Sequence, residues 1–244
     1  MALTISVIVC AFNEERYLPA CLYSLLAQTR PPDELLVVNN ASTDATRAVA
    51  ASVPGVRVVD EPRKGLVVAR DAGRRAATGD ILAYLDADCR APLMWVERLA
   101  ARFERSPHLV AVSAPYRFYD WDLPGRALVR TYDLVVAPPA QLLVHRVLRI
   151  GSLLYGGNFA VRRGALERVG FDTSIDFHGE DTNLGRRLAA QGAIRLCREL
   201  FVYTSARRYR AMGRSAVFRL YLRNFWSEIL RHRPADRTHL DVRT

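Results

Sequence analysis

Over its first 115 residues the chain alternates short apolar runs with segments of helical period, and that alternation leaves few folds open. The runs 3–11, 34–38, 56–59 and 81–85 are too short for typical helices and read as buried strands. Between them, 16–28, 44–52 and 66–77 carry helical patterns; in the first, Leu18, Cys21, Leu22 and Leu25 share a stripe. Strands joined through helices by short links pair in parallel, which predicts an α/β fold with helices on both faces of a mainly parallel, doubly wound sheet. A further helix is expected at 94–105 and a strand at 109–114. After Pro115 the regularity fades: 116–121 is aromatic, and 122–150 mixes apolar and basic residues around Pro138-Pro139. That stretch is expected to form helical or loop cover over a site. Helical pattern returns at 163–169 and 182–191.

A chain of 244 residues can bury a full core without staples, as one domain with an appended arm. Its four cysteines, Cys10, Cys21, Cys89 and Cys197, show no C-x-x-C spacing, which points to a reduced, cytoplasmic setting. The start, Met1-Ala2-Leu3-Thr4, lacks a basic leader, and no apolar run reaches the roughly 18 residues of a spanning helix. The net charge of +10 is uneven: ten arginines against three acids in 205–244 place seven of those ten charges in the tail. Such a tail suits an anionic partner, a membrane surface or a diphosphate; nucleic acid carries the same charge but is not the partner expected here. A solvated basic helix in an arginine-rich composition is the plainer explanation, since Lys64 is the single lysine.

The strand 81–85 runs into Asp86-Ala87-Asp88. Paired acids there put negative charge at the C-terminal edge of the sheet, where open α/β folds bind ligands. Just beyond a strand, residues i and i+2 can hold one hard cation, leaving positions for water and a ligand phosphate. Alone the triplet is ambiguous, because solvated strand ends are often acidic. Strand one ends in Ala11-Phe12-Asn13-Glu14-Glu15, an aromatic ring and polar groups that suit a planar base, although Asn13 before acids also reads as a helix cap. Strand two ends in Asn39-Asn40 before Ser42-Thr43-Asp44: Ser42 or Thr43 can cap the next helix, while the two amides offer donors and acceptors to a heterocycle or ribose. Arg70 sits where it could face a nucleotide. Glu180-Asp181 at a helix start is ordinarily a dipole-stabilising pair.

Taken in order, Val7 to Glu14, Ser42-Thr43-Asp44, Ala69-Arg70-Asp71-Ala72-Gly73, Asp86-Ala87-Asp88, Gly157-Asn158 and Glu180-Asp181 resemble the family 2 glycosyltransferases of GT-A fold over roughly residues 3 to 204. The resemblance implies a GT-A domain at 1–204, with a nucleotide-sugar half at 1–115 and an acceptor and base half at 116–204, followed by a basic helix and tail at 205–244. It implies that Ala11, Phe12, Glu14 and Asn39 hold the nucleoside, with Arg70 and Ala87 in the donor site. Asp86 and Asp88 would bind ribose and a Mg2+ or Mn2+ on the diphosphate, and Asp181, paired with Glu180, would be the base. The family commonly has aspartate where this chain has Asn39, which leaves the donor base open. The reaction implied is inverting transfer of a sugar from a nucleotide diphosphate sugar to an acceptor hydroxyl, on a lipid-linked or cell-envelope glycan or a small molecule. Gly157 and Asn158 would serve acceptor or diphosphate.

Arg207 or Arg208, after the last strand, is expected to close over the diphosphate. Phe218, Tyr221, Leu222, Phe225, Trp226, Ile229 and Leu230 recur at helical spacing and predict an amphipathic helix, docked by that stripe onto the core or lying on an anionic membrane. Two other readings compete. A nucleotidyltransferase would want a glycine-rich loop after strand one, where Phe12-Asn13-Glu14-Glu15 stands; a non-catalytic protein binding sugar nucleotides or a membrane surface is favoured slightly by Asn39. No G-x-G-x-x-G follows strand one, which disfavours a dinucleotide fold.

Overall fold

The computed structural model describes residues 2–142, 154–175 and 179–231. Its first half builds a parallel sheet from the apolar runs: β1 (Ile5–Ala11), β2 (Glu34–Asn40), β3 (Val56–Glu61) and β4 (Ile81–Asp86), linked by α1 (Leu18–Leu26), α2 (Thr46–Ala51) and α3 (Leu66–Ala76). After α4 (Trp95–Glu104) come β5 (Leu109–Ser113) and a short β6 (Tyr116–Phe118). Helix α5 (Leu123–Thr131), a π-helical turn at Tyr132–Val136 and α6 (Ala137–Gln141) make the stretch after β6 helical; 143–150 lies outside the described residues. Then follow β7 (Asn158–Arg162), α7 (Arg163–Val169), α8 (Glu180–Ala189), β8 (Ala193–Leu196), β9 (Val202–Thr204), α9 (Arg207–Met212) and α10 (Arg214–Arg231).

The main sheet runs β3-β2-β1-β4-β7-β5-β8. From β1 the chain builds outward through β2 and β3, then crosses back to β4, so the crevice opens beyond β1 and β4. Register aligns the strand ends: Ala11 faces Asn39, Asn39 faces Asp60, and Cys10 faces Asp86. Strand β7 is antiparallel to both β4 and β5. Because it runs the other way, its beginning, not its end, meets Asp86. That is how Gly156-Gly157, far along the chain, reaches the D-x-D edge. Strand β8, parallel to β5, has no counterpart among the expected strands.

Alternate residues of β1 fill two cores, as a strand buried on both faces must. Val7 and Val9 join Leu18, Leu22, Trp95 and Phe103 under α1 and α4. Ile8 joins Leu36, Tyr84, Phe159, Leu166 and Leu188 under α3, α7 and α8. Each fully buried aliphatic side chain stabilises by about 1.5–3 kcal/mol. Gly73 lets α3 settle on the sheet: a Cβ there would stand 2.5 Å from the Ile8 Cγ2.

The start of the basic tail is fastened to the body. Asp120 accepts from Ser205 Oγ (2.6 Å), the Ala206 N–H (2.6 Å) and Arg210 (2.9 Å), while Trp121 stacks on Tyr209 at 4.6 Å. Helix α10 packs against α8 and α9. Val217, Asn224 and Ser227 are buried, whereas Phe218 is 57% and Tyr221 43% exposed. Val217 and Asn224, seven residues apart, lie on the inward face, and of the expected stripe only Phe218 and Tyr221 are among the described side chains. The side chains of Leu222, Phe225, Trp226, Ile229 and Leu230 lie outside the described residues.

Candidate active site

The loops after β1 and β2 are bound to each other. Asn13 and Ala41 both adopt left-handed backbone (φ 52° and 56°), a conformation that costs roughly 1–3 kcal/mol and clusters at functional sites. The Asn13 N–H donates to Ser42 Oγ (3.1 Å), and Asn13 Oδ1 accepts the Thr43 N–H (2.8 Å). The Glu14 N–H donates to Thr46 Oγ1 at 2.7 Å. Ser42 and Thr43 are thus spent on the first loop, and the first N–H of α2, that of Thr46, donates to Asp44 Oδ1 at 2.9 Å. Lys64 Nζ sits 4.0 Å from the Phe12 ring centroid, so a cation takes one face of the ring expected to meet a base. Ala11 and Ala87 are buried in the apolar core, at 1% and 3% exposure, which restricts any donor contact from either to backbone.

Asp86 and Asp88 stand at the next strand end. The Asp86 N–H donates to the Gly157 carbonyl (3.2 Å), and a Cβ on Gly157 would fall 1.8 Å from Asp86 Oδ2 and 2.5 Å from the Tyr116 hydroxyl. Only glycine fits there. Asp88 Oδ2 pairs with Arg207 Nε at 3.1 Å, and its Oδ1 accepts from Thr204 Oγ1 at 3.3 Å. Arg207 also forks onto both oxygens of Glu14, the Nη1 bond measuring 2.9 Å. One guanidinium from the tail therefore bridges the β1 loop and the D-x-D turn. Burial pushes the Asp88 carboxyl up to about 7, against the pull of Arg207.

The donor set fits a hard divalent cation. Two adjacent carboxylates offer oxygen ligands, and among the described residues no cluster of three or more Asp, Glu, His or Cys forms a closed cage. An open pair of this kind is the arrangement Mg2+ uses when substrate phosphates and waters complete its shell.

The third part of the edge is the start of α8. Arg70, 3% exposed on α3, donates to Glu180 Oε1 (2.5 Å) and to the Gly156 carbonyl (2.6 Å). Burial and the adjacent Asp181 carboxylate push Glu180 up, while Arg70 opposes them. Glu180 also caps the Asp181 N–H. Asp181 Oδ1 accepts the Thr182 N–H at 2.7 Å and makes no ion pair among the described residues; burial raises its pKa.

Several expected roles change with these contacts. Arg70 does not face a nucleotide: its guanidinium is consumed in holding Glu180 to the Gly156 turn. Asn158 is 2% exposed, and its amide donates to the Ala114, Pro115 and Leu200 carbonyls, which makes it a brace from β7 to the link after β5 and the turn before β9 instead of a ligand contact. Arg207 reaches the site, while Arg208 hydrogen-bonds Tyr221 on α10. Asn40 is spent on the 61–65 loop, donating to Arg63 (2.6 Å) and accepting from Gly65 (2.8 Å). Asn39 keeps its place at the edge, and Asp60 and Tyr116, which the sequence did not single out, join it. Strand register was the missing signal for Asp60, because an acid ending β3 looks solvated until β2 is laid beside it.

The family model for glycosyl transferase family 2 matches residues 6–170. The chain belongs to glycosyl transferase family 2. Its fold is GT-A, by likeness to solved structures. A mannosyltransferase from Pyrobaculum calidifontis, solved with GDP-Man and Mn2+, superposes with a TM-score of 0.70 at 24% identity, covering 94% of this chain and 63% of that one. Glucosyl-3-phosphoglycerate synthase from Mycobacterium tuberculosis, solved with Mn2+, UDP-glucose and phosphoglyceric acid, gives 0.62 at 25% identity, covering 93% and 80%. A glucosyl-dolichyl phosphate glucuronosyltransferase from Haloferax volcanii is 29% identical over 191 residues, 75% of this chain and 58% of that relative. This family 2 chain spans less than two thirds of the length of the curated relatives it matches first. Its four cysteines are free, and among the described residues no helix is long and apolar enough to cross a membrane.

Proposed function

We propose that the chain is a metal-dependent, inverting glycosyltransferase that moves a sugar from a nucleotide diphosphate sugar to an acceptor hydroxyl. The observation that carries this reading is the joining of two carboxylate pairs through one turn: Gly157 presses on Asp86, and Arg70 ties Gly156 to Glu180 beside Asp181. Family membership favours it over nucleotidyl transfer and over a non-catalytic role.

Ala11 by its backbone, Phe12, Glu14 and Asn39 would hold the nucleoside, and Asp86 and Asp88 would hold Mg2+ or Mn2+ against the diphosphate. When bound, that cation would offset negative charge growing on the leaving group. Arg207, paired with Glu14 and Asp88, would turn toward the diphosphate as it binds and add positive charge there. Asp181 accepts the acceptor hydroxyl proton as its oxygen bonds to the anomeric carbon from the face opposite the diphosphate, whose bond to that carbon breaks; one displacement inverts the centre. A positioned base contributes about 10²–10⁴-fold. Glu180 is less suited, because proton transfer to it would compete with its ion pair to Arg70. Calorimetry tests the assignment: in saturating Mn2+, Asp88→Ala should abolish metal-dependent donor binding with the fold intact, and unchanged affinity would sink it.

For the acceptor we favour a lipid-linked glycan at the inner face of an anionic membrane. Phe218 is exposed and Tyr221 partly so, beside the exposed Arg219 and Arg223, the pattern of helices that lie in a lipid interface. Near such a surface each arginine adds roughly 1 kcal/mol of attraction. The Haloferax relative is named for a dolichyl phosphate-linked glucosyl unit, which supports the same choice. Binding to anionic liposomes that is lost on truncation after Met212, with the remainder folded, is the expected result; indifference to lipid overturns the membrane reading.

A further inference from the structure

Asn39 is the last residue but one of β2, at the edge where the nucleoside is expected, and its carboxamide can face that edge in two ways. With Oδ1 outward it accepts a hydrogen bond; with Nδ2 outward it donates one. Asp60, its register partner on β3, decides between them. Asn39 Nδ2 donates to Asp60 Oδ1 at 2.9 Å, and Arg47 Nε lies 3.1 Å from both Asp60 oxygens. The Asn39 bond first, and then Arg47, hold the Asp60 carboxyl below its ordinary range, so it is ionised at neutral pH and can only accept. The amide must therefore turn its NH2 to Asp60. Its Oδ1 is left buried, without a donor among the described residues, on a side chain 8% exposed. A buried acceptor lacking a donor is costly, and a ligand N–H would satisfy it.

We infer that Asp60, braced by Arg47, sets the Asn39 amide as a hydrogen-bond acceptor that selects donors whose base carries a ring N–H beside a carbonyl. Uracil, thymine and guanine have that group. Cytosine and adenine present a ring nitrogen lone pair there instead, which would meet the Oδ1 lone pair unless the base shifted to offer its exocyclic amine. Asp60 is a positioning residue: it acts through Asn39, and the aspartate common at this position in the family is replaced by a neutral amide whose orientation a second acid enforces. This inference rests on the nucleotide-sugar reading above.

The test compares UDP, GDP, CDP and ADP binding to the full chain in Mn2+ by calorimetry. UDP, GDP or both should bind at least about 10-fold tighter than CDP and ADP, and the UDP-to-GDP ratio names the base. Asp60→Asn puts at position 60 an amide that can donate or accept, frees the Asn39 amide to turn, and should bring the base preference toward unity. Asp60 has a side chain 50% exposed, so its replacement is expected to fold, which a thermal midpoint checks. Asn39→Leu keeps the volume, removes the acceptor, and should flatten the preference as well. A merely structural role for Asp60 would lower all four affinities together. Comparable binding of all four nucleotides by the unaltered chain, as a ribose hydroxyl donor would give, overturns the inference alone. So does a base preference that survives both substitutions. Failure of all four to bind overturns the donor-site reading and this inference with it.

Discussion

Gly157→Ala adds one methyl group between the Gly156-Gly157 turn and the D-x-D carboxylate. The new Cβ would lie 1.8 Å from Asp86 Oδ2 and 2.2 Å from its Cγ, with the Tyr116 hydroxyl at 2.5 Å. Ordinary contact begins near 3.4 Å, so the Asp86 carboxylate must retreat by about 1.6 Å or the turn must lift by as much. The turn is held by the Gly157 N–H donating to Tyr116 Oη (2.7 Å) and by Arg70 on the Gly156 carbonyl, so the carboxylate yields first. A misplacement of about 1 Å at a reacting centre costs about 10²-fold, and an equal or larger loss of metal-dependent transfer is expected. Overpacking should take about 1–3 kcal/mol from stability, and each kcal/mol lowers the thermal midpoint by about 2–4 °C in a chain of this size. Gly164→Ala, on α7, is the control: its Cβ would meet only Arg168 Nη1 at 3.7 Å, and roughly 0.5–1 kcal/mol of stabilisation is expected. Mn2+-dependent donor binding by calorimetry, beside a melting curve, separates the two effects. Wild-type donor affinity and rate in Gly157→Ala would refute the reasoning, because it would mean that Asp86 does not act from where the turn confines it.

Asp181→Asn keeps shape and capping ability but cannot take a proton, so donor binding should survive while transfer falls at least about 10²-fold. If Glu180→Gln is the more damaging change, the two roles are reversed. Because burial raises the Asp181 pKa, the acidic limb of the transfer rate should lie above the ordinary aspartate range, with activity lost as pH falls through it. A limb at the ordinary value, or one that persists unchanged in Asp181→Asn, contradicts the assignment. Arg70→Met leaves Glu180, whose side chain is 9% exposed, without its cation, and should destabilise by about 3–5 kcal/mol. Pairing it with Glu180→Gln should recover part of that loss, and an unaltered melting point in the single variant would show the pair to be idle.

Much of the sheet was legible because β1, β2 and β4 are short apolar runs whose burial on both faces leaves a direct mark in sequence. The D-x-D edge was legible for the same reason: Asp86 and Asp88 end a run that is otherwise wholly apolar. What escaped was everything set by pairing across the sheet. That Arg70 holds Glu180, and that Asp60 orients Asn39, depend on the placement of α3 and the register of β3, and neither is encoded in local spacing. Asn158 looked like a ligand residue beside two glycines, yet its amide braces β7 to the link after β5 and the turn before β9. On α10 the inward Val217, Asn224 and Ser227 were hidden in the sequence behind the louder aromatic spacing.

Release of nucleoside diphosphate from UDP- and GDP-sugars by the full chain, with Mn2+ and with a chelator, tests the central claim most directly. The account predicts release in Mn2+ that the chelator abolishes and that Asp88→Ala lacks. Release indifferent to the chelator and to Asp88→Ala, or none from any such donor in Mn2+, would contradict it.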